Sequence, residues 1–191
     1  MSHQRPLHRM PHNDTKGDEM KIYVTSDTHF NHARLIEFGR PEDFEERIIQ
    51  SHNKIEEDAV LIHLGDFCIG KDAEMHDMWL DVVGHVQRRI LIRGNHDKKS
   101  DSWYYEHGWQ TVAEALTLRL YGKDVLFTHI PANHEMWAST DINVHGHTHG
   151  NTHRDHDIQH FYHPGNYHRE IALENTNYKP VLITDKFILN R

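Results

Sequence analysis

The sequence has only one cysteine, Cys68, and no apolar run near the length that a membrane-spanning helix requires. A single cysteine excludes an internal disulfide and fits a reducing compartment. A spanning helix needs about 20 apolar residues, so we predict no membrane span. The first residues hold charge and histidine where a signal peptide has an apolar core. We therefore expect a cytoplasmic protein.

Excess positive charge is lacking as well. The chain of 191 residues has 21 lysines and arginines against 29 aspartates and glutamates, which gives a formal net charge of -8. Proteins that bind nucleic acid without sequence preference usually present a basic face, so this balance counts against long DNA or RNA as a partner. The residue in excess is histidine, with 21 copies, and the informative ones are those that follow predicted strands.

The length and the hydrophobic pattern indicate one folded domain. Residues 1–19 have no periodicity and mix proline, glycine and polar residues, so we predict a disordered N-terminal extension there. Residues 20–191 are predicted to form a single domain. Helical patterns dominate its first half and strand patterns its second half, without repeat or linker. This distribution favours an α/β fold in which a pair of mixed sheets is flanked by helices.

The individual elements follow from periodicity and from stop signals. Helices are predicted at 32–38, 43–54, 72–83 and 102–107. Residues 111–120 and 123–128 alternate around Tyr121-Gly122, which indicates a β-hairpin. Three late strands are predicted at 160–163, 170–173 and 181–184.

Polar side chains follow five short apolar runs that we interpret as buried strands. Ligands of α/β proteins bind at the carboxyl edge of the sheet, so the side chains at the ends of neighbouring strands are expected to converge. The residues at these five ends that carry metal-binding groups are Asp27, His29, Asp66, Asn95, His129, His147 and His149.

Two carboxylates, one amide oxygen and four imidazoles form a nitrogen and oxygen ligand set. The absence of thiolates excludes a structural zinc site of the cysteine type, and the imidazoles are too many for a dedicated Ca²⁺ or Mg²⁺ site. The set suits Mn²⁺, Fe²⁺, Co²⁺, Ni²⁺ or Zn²⁺. Seven ligands are too many for one tetrahedral ion and suit two, with Asp66 as the candidate bridge. Two ions about 3.5–4 Å apart support in-line displacement at phosphorus.

His96 and Asp97 directly follow the candidate ligand Asn95. A histidine beside such a centre can protonate the leaving oxygen or stabilise the equatorial oxygens, a contribution of about 10²–10⁴-fold. Asp97 is expected to hydrogen-bond the imidazole of His96 and to keep it oriented. Both residues are therefore candidate catalytic residues.

Five motifs resemble, in order and spacing, those of the calcineurin-like metallophosphoesterase family. They are D-T-H at 27–29, G-D at 65–66, G-N-H-D at 94–97, an isolated histidine at 129 and G-H-T-H at 146–149. The resemblance covers about 20–184 and is closest to short bacterial and phage members without a capping domain. It implies a four-layer α-β-β-α sandwich of two mixed sheets flanked by helices.

The resemblance also implies how the site residues are used. One metal is held by Asp27, His29 and His149. The other is held by Asn95, His129 and His147. Asp66 bridges the two metals, His96 is the catalytic histidine and Asp97 is its partner. Mn²⁺ is the favoured ion, and Fe, Ni, Co and Zn stay open.

The implied activity is hydrolysis of a phosphoester by in-line attack of a metal-bridging hydroxide, with His96 assisting the leaving group. We favour a phosphodiesterase over a phosphomonoesterase or protein phosphatase, because no inserted domain or long substrate groove is evident. Small phosphodiesters or nucleotides are the favoured substrates, and nucleic-acid ends stay open, as does the oligomeric state. The alternatives are a non-catalytic metal-binding scaffold, which has no need of His96, and metal storage, which the histidine content suggests.

Overall fold

The computed structural model describes residues 20–133, 139–150 and 167–189. The predicted extension at 1–19 and the predicted strand at 160–163 lie outside the described residues, as does most of the histidine-rich stretch 151–168. Within the described residues, no helix combines the length and the apolar character needed to cross a membrane.

The described residues form nine strands, five α-helices and one short 3-10 helix. The strands are β1 (Ile22–Thr25), β2 (Val60–His63), β3 (Arg88–Ile92), β4 (Thr111–Ala113), β5 (Ala115–Leu120), β6 (Lys123–Thr128), β7 (Ile142–His145), β8 (His168–Glu170) and β9 (Val181–Leu182). The α-helices are α1 (Arg34–Glu37), α2 (Phe44–His52), α3 (Asp72–Val83), α4 (Asp101–Glu106) and α5 (Asp185–Leu189), and the 3-10 helix is Leu173–Asn175.

The strands form two mixed sheets. The first has the order β4-β3-β2-β1-β9, in which β1 to β4 are parallel and β9 is antiparallel to β1. The second has the order β5-β6-β7-β8, in which β5 is antiparallel to β6 and the remaining pairs are parallel. Two mixed sheets with five helices confirm the predicted α/β sandwich.

Alternation along the strands of the first sheet divides the apolar side chains between two cores. Ile62 of β2 belongs to a buried cluster shared with Phe127 of the second sheet. Its neighbour Leu61 belongs to the cluster that includes Trp79 of α3. Successive side chains of a strand point to opposite faces, so one core lies between the sheets and the other lies under the helices. Burying each such side chain contributes about 1.5–3 kcal/mol.

The predicted strand at 111–120 is in fact two strands that belong to different sheets. β4 pairs with β3, whereas β5 pairs antiparallel with β6, and the chain changes sheet at Glu114. Val112 packs in the helix-side core and Leu116 in the core between the sheets. Both segments are extended and alternate, so periodicity alone could not separate them. The hairpin itself is confirmed for β5 and β6.

Other predicted boundaries move by a few residues. The helix predicted at 72–83 coincides with α3, and the other three helices shift or shorten by up to two residues at each end. The strand predicted at 170–173 lies earlier, at β8, because Leu173 begins the 3-10 helix. The strand predicted at 181–184 is only the two residues of β9.

Candidate metal centre

The seven predicted ligands lie in the loops that follow β1, β2, β3, β6 and β7. The first three strands are parallel neighbours in one sheet, and the last two are parallel neighbours in the other. Their carboxyl ends therefore lie at the same edge of each sheet. The shared edge brings side chains from distant parts of the sequence into contact.

The backbone of this site is strained at the ligands themselves. Five of the seven have a positive φ, a region that costs about 1–3 kcal/mol for a residue with a side chain and is concentrated at functional sites. These residues are Asp27 (53°), His29 (47°), Asp66 (55°), His147 (71°) and His149 (51°). The surrounding loops hold these conformations, which aim the side chains toward one another.

Gly65 allows the loops after β2 and β3 to pack against each other. It has a φ of +92°, and a Cβ built on it would lie 2.6 Å from Cα of Gly94 and 2.7 Å from the carbonyl oxygen of Ile92. Both contacts are with backbone, which cannot move aside as a side chain would. A glycine is therefore required before Asp66.

One group of candidate ligands consists of Asp27, His29 and His149, whose ligand atoms lie within 4.8 Å of one another. The Oδ1 atom of Asp27 is 3.9 Å from Nε2 of His29 and 3.7 Å from Nε2 of His149. The same Oδ1 is buried and has no hydrogen-bond partner among the described residues. A buried carboxylate oxygen without a partner is costly, and a cation at this position would compensate it.

A second group consists of Asp66, His129 and His147, again within 4.8 Å. Nδ1 of His129 lies 2.7 Å from the carbonyl oxygen of Leu64, so it must donate its proton there. In the unprotonated imidazole the lone pair of His129 is therefore on Nε2, which lies 3.0 Å from Oδ1 of Asn95 and 3.0 Å from Nδ1 of His147. Oxygen and nitrogen lone pairs that converge in this way form a site for a divalent transition-metal ion.

Asp66 lies between the two groups. Its Oδ2 atom is 3.5 Å from Nε2 of His129, 3.7 Å from Nε2 of His29 and 3.9 Å from Nε2 of His96. Its Oδ1 atom is fixed by the amide of His96, at 2.8 Å. One oxygen is therefore anchored while the other faces both groups, as a bridging carboxylate requires.

The electrostatics of the centre favour positive charge. Burial alone would raise the pKa of Asp66, but its hydrogen bond with His129 and the positive charges around it hold the pKa well below its usual range. Burial likewise opposes a charged His129, yet Asp66 and Asp27 raise the pKa of His129 to about 9. Burial lowers the pKa of His29 to about 4. The carboxylates thus stabilise a positive charge here, and the donor set fits a pair of divalent ions.

Comparison with known proteins agrees with this geometry. The family model for the calcineurin-like phosphoesterase superfamily domain matches residues 20–184. The chain belongs to the calcineurin-like phosphoesterase superfamily. The resemblance given by the five sequence motifs is thereby confirmed.

Two similar proteins come from Methanocaldococcus jannaschii and Aquifex aeolicus. An uncharacterized protein of Methanocaldococcus jannaschii, MJ1445, is 30% identical over 171 residues, which are 84% of this chain and 86% of the relative. The crystal structure of AQ665 from Aquifex aeolicus, a protein of unknown function, has 24% identity and a TM-score of 0.65, and the match covers 86% of this chain and 96% of that one. The second similarity supports the fold.

His96 lies at the open side of the candidate metal centre. Its side chain is 48% exposed, and its ring centroid is 5.6 Å from that of His29. His32, which was not among the predicted site residues, packs edge-on against the same His29 ring at 5.7 Å. The solvent-facing side of the candidate metal pair therefore carries two imidazoles.

Asp97 has partners other than the one we predicted. Its buried carboxylate accepts hydrogen bonds from the backbone amides of Asp66 (2.8 Å), Phe67 (3.1 Å) and Gly94 (2.7 Å). The imidazole of His96 is not among these partners. Asp97 therefore ties the loop after β2 to the loop after β3, because a carboxylate three residues past the glycine turn can reach back to both loops.

Three residues behind the ligands were missed by sequence reasoning. Arg40, only 4% exposed, donates to the carbonyl oxygens of Asp27 (2.8 Å) and Thr28 (3.1 Å). Glu174 accepts from Arg40 and lies 3.1 Å from Nδ1 of His149. Neither has a motif or a spacing that marks it in the sequence.

The third missed residue, His63, ends β2 and is fully buried. Its Nδ1 accepts from the amide of Gly65 at 3.0 Å, so Nε2 carries the proton and donates to Oγ1 of Thr28, also at 3.0 Å. Thr28 in turn donates to the carbonyl oxygen of Phe67 at 2.7 Å. His63 thus connects the loop after β1 with the loop after β2. Its position at the end of an apolar run was a visible signal.

Proposed function

We propose that this calcineurin-like phosphoesterase is a phosphodiesterase with a dinuclear divalent metal centre, and that Mn²⁺ is the favoured ion. The observation that carries the proposal is the position of Asp66 Oδ2, which lies 3.5–3.9 Å from imidazole nitrogens of both ligand groups and of His96. The ligands would be Asp27, His29 and His149 for one ion, Asn95, His129 and His147 for the other, and Asp66 for both.

When bound, two such ions act as Lewis acids on the phosphoryl group and lower the pKa of a shared water. The side chains of the protein supply negative charge and fix the geometry. Asp66 and Asp27 supply the negative charge that holds the cations, and the imidazoles fix the geometry. The strained loop backbone keeps these donors in place before substrate arrives, which is the preorganisation that catalysis requires.

His96 is proposed as the catalytic group that donates a proton to the leaving oxygen. Its backbone amide is bonded to Oδ1 of Asp66, so the ring stands directly beside the bridging carboxylate. Its exposure gives a substrate access from the solvent side. Asp97 is proposed as a positioning residue, because it fixes the turn that carries Asn95 and His96.

A diester is favoured over a monoester because of charge. A monoester brings a second negative charge, which is usually matched by arginine or lysine. Arg40 is a buried cation beside the centre, and its donors contact two backbone carbonyls, Glu174 and Nδ1 of His149. It is therefore not directed to a terminal phosphate. A small phosphodiester or nucleotide with one negative charge fits this arrangement better.

We also propose a cytoplasmic location. The one cysteine, Cys68, is a buried free thiol whose pKa is raised by burial to about 12. Such a thiol neither forms disulfides nor reacts readily, which suits a reducing compartment. Fractionation of cells that express the native protein tests this, and recovery in a secreted fraction would exclude it.

The activity is tested by loading purified protein with Mn²⁺ and comparing hydrolysis of bis-p-nitrophenyl phosphate with that of p-nitrophenyl phosphate. The test variant is His96→Ala. The matched control is His85→Ala, an exposed histidine that precedes β3 and so lies at the opposite edge of the sheet from the site.

We expect faster hydrolysis of the diester, a loss of about 10²–10⁴-fold in His96→Ala with two metals still bound, and no change in His85→Ala. Preference for the monoester would move the assignment to a phosphomonoesterase with the same site. Absence of turnover with two metals bound would favour the non-catalytic scaffold.

A further inference from the structure

The two candidate metal positions differ in what stands behind their histidine ligands. Nδ1 of His149 lies 3.1 Å from Oε1 of Glu174, a carboxylate. Nδ1 of His129, in the other group, lies 2.7 Å from the neutral carbonyl oxygen of Leu64. The orienting partner of His149 is therefore charged and that of His129 is neutral, whereas Nδ1 of His29, also at the first position, is buried without a hydrogen-bond partner among the described residues.

The partner of His149 fixes its tautomer. Nη2 of Arg40 also lies 3.3 Å from Nδ1 of His149. Its two protons, however, are taken by the nearer oxygens of Asp27 and Glu174, each at 2.8 Å. An ionised carboxylate only accepts hydrogen bonds, so Nδ1 of His149 carries a proton and donates it to Glu174. The lone pair is then on Nε2, which faces Oδ1 of Asp27 at 3.7 Å. A carboxylate behind an imidazole ligand makes that imidazole a stronger donor to the metal. Glu174 therefore strengthens the donor set of Asp27, His29 and His149.

Arg40 holds Glu174 in this position. Its Nε and Nη2 atoms lie 2.9 Å and 2.8 Å from Oε1 of Glu174. The same guanidinium donates to the carbonyl oxygens of Asp27 and Thr28. One buried cation thus fastens the carboxylate that orients His149 to the loop that carries Asp27. A lysine could not make this set of contacts, because only the guanidinium presents a rigid fork of donors.

Arg40, Glu174 and His149, which we call the clamp, come from three distant parts of the chain. Arg40 follows α1, His149 follows β7 and Glu174 lies in the 3-10 helix, where its neighbour Leu173 is fully buried. Arg40 and Glu174 are separated by 134 positions in the sequence. The packing of Leu173 fixes the backbone at this point, and Arg40 fixes the carboxylate of Glu174 beside His149.

We propose that Glu174, held by Arg40, is a positioning residue that orients His149 and makes the position formed by Asp27, His29 and His149 the tighter of the two metal sites. The ions then bind in two steps, first at this position and then at the position of Asn95, His129 and His147. This inference rests on the proposed dinuclear centre, and it concerns the order and strength of metal binding rather than the reaction.

The test is titration of the metal-depleted full chain with Mn²⁺, followed by calorimetry and by the electron paramagnetic resonance of free Mn²⁺. Glu174→Gln keeps the shape of the side chain and removes its charge. The matched control is Glu170→Gln, because Glu170 accepts from Thr148 Oγ1 and from the amide of Gly150 (2.7 Å) in the loop that carries His149. It supports this loop without orienting the ring of His149.

We expect two binding events in the unaltered protein. In Glu174→Gln the tighter event should weaken by about 10- to 100-fold, the range typical for loss of an orienting partner of a ligand. The weaker event should change much less, and Glu170→Gln should leave both events as they are. Arg40→Lys should weaken the tighter event as well. In His129→Ala, which disables the other position, the tighter event should persist and remain sensitive to Glu174→Gln.

Equal weakening of both events in Glu174→Gln, or no weakening of either, would overturn the inference. Two ions of equal affinity in the unaltered protein would also overturn it and leave the dinuclear centre standing. Failure to bind any metal would instead contradict the proposed function. Thermal unfolding of the metal-depleted variants, with Glu170→Gln as the reference, separates a loss of affinity from a loss of folding.

Discussion

At the scale of single residues, the contacts of Asp97 indicate a structural role in the loops rather than a role in the reaction. A residue next to the catalytic candidate was expected to act on the imidazole of His96. Its carboxylate instead accepts from three backbone amides in two loops, and burial raises its pKa. A buried acceptor with three donors contributes to stability through each of them. Its effect on catalysis should follow from its effect on the loops.

Asp97→Asn tests this interpretation. An asparagine offers one acceptor oxygen, and its amide group faces backbone donors that lose their partner, so unfolding free energy should fall by about 1–3 kcal/mol. Denaturant unfolding of the metal-depleted protein measures this change. Metal affinity should fall with it, because the loops carry Asp66 and Asn95. Unchanged stability and metal binding with a reduced turnover number would instead make Asp97 the partner of His96.

At the scale of elements, the loop after β2 depends on a glycine before Asp66. Gly65→Ala would force a Cβ against the backbone of Gly94 and Ile92. Gly39 offers a matched control, since it has a similar φ of +105° with nothing within 4 Å of its built Cβ. Both alanines have to adopt an unfavourable φ, and only the one at 65 also meets another loop.

We expect Gly39→Ala to lower the unfolding free energy by about 1–2 kcal/mol through the backbone conformation alone. Gly65→Ala should lose about 1–3 kcal/mol more, and it should also lose Mn²⁺ affinity, which Gly39→Ala should retain. Chemical unfolding and metal titration of the two variants check this. If both variants lost the same unfolding free energy and kept the same Mn²⁺ affinity, the close approach of the two loops would not contribute to stability.

The elements also explain how far the sequence could predict the site. The convergence of the candidate ligands could be predicted because each of them follows an apolar run, and the carboxyl ends of parallel strands lie at one edge of a sheet. The clamp of Arg40 and Glu174 was not accessible, because it joins positions 134 residues apart and neither side chain lies at a strand end. The change of sheet at Glu114 was missed for a related reason, since the alternation of β4 and β5 is the same in either sheet.

At the scale of the whole molecule, buried histidines outside the metal centre affect the free energy of unfolding. His52 and His76 are buried, and their rings pack against Trp79 and Phe67 of the helix-side core. Each has Nδ1 bonded to a backbone carbonyl, that of Ile48 and that of Asp72, and a buried Nε2 without a partner among the described residues. Burial lowers the pKa of both residues to about 4. The folded protein therefore keeps these rings neutral.

This gives a defined dependence of stability on pH. An unfolded histidine titrates near 6.5, and the folded pKa of His52 and His76 is lower. The unfolded state therefore binds more protons between pH 6.5 and 4, and stability falls as the pH falls through this window. The stability is fully present above about pH 6.5, and each residue accounts for a loss on the order of 3 kcal/mol by pH 4. Denaturant unfolding of the metal-depleted protein at several pH values measures the slope.

His52→Leu isolates the contribution of one ring. Its Nδ1 proton goes to a carbonyl within the same helix, and the ring packs against Trp79 at 5.1 Å, so leucine replaces a neutral buried side chain by an apolar one. The slope of stability between pH 6.5 and 4 should become shallower in His52→Leu, and His85→Leu, at an exposed position, serves as the control for the same substitution. An identical slope in both variants would mean that the acid sensitivity arises from other buried groups, such as His76 and the His29 of the centre.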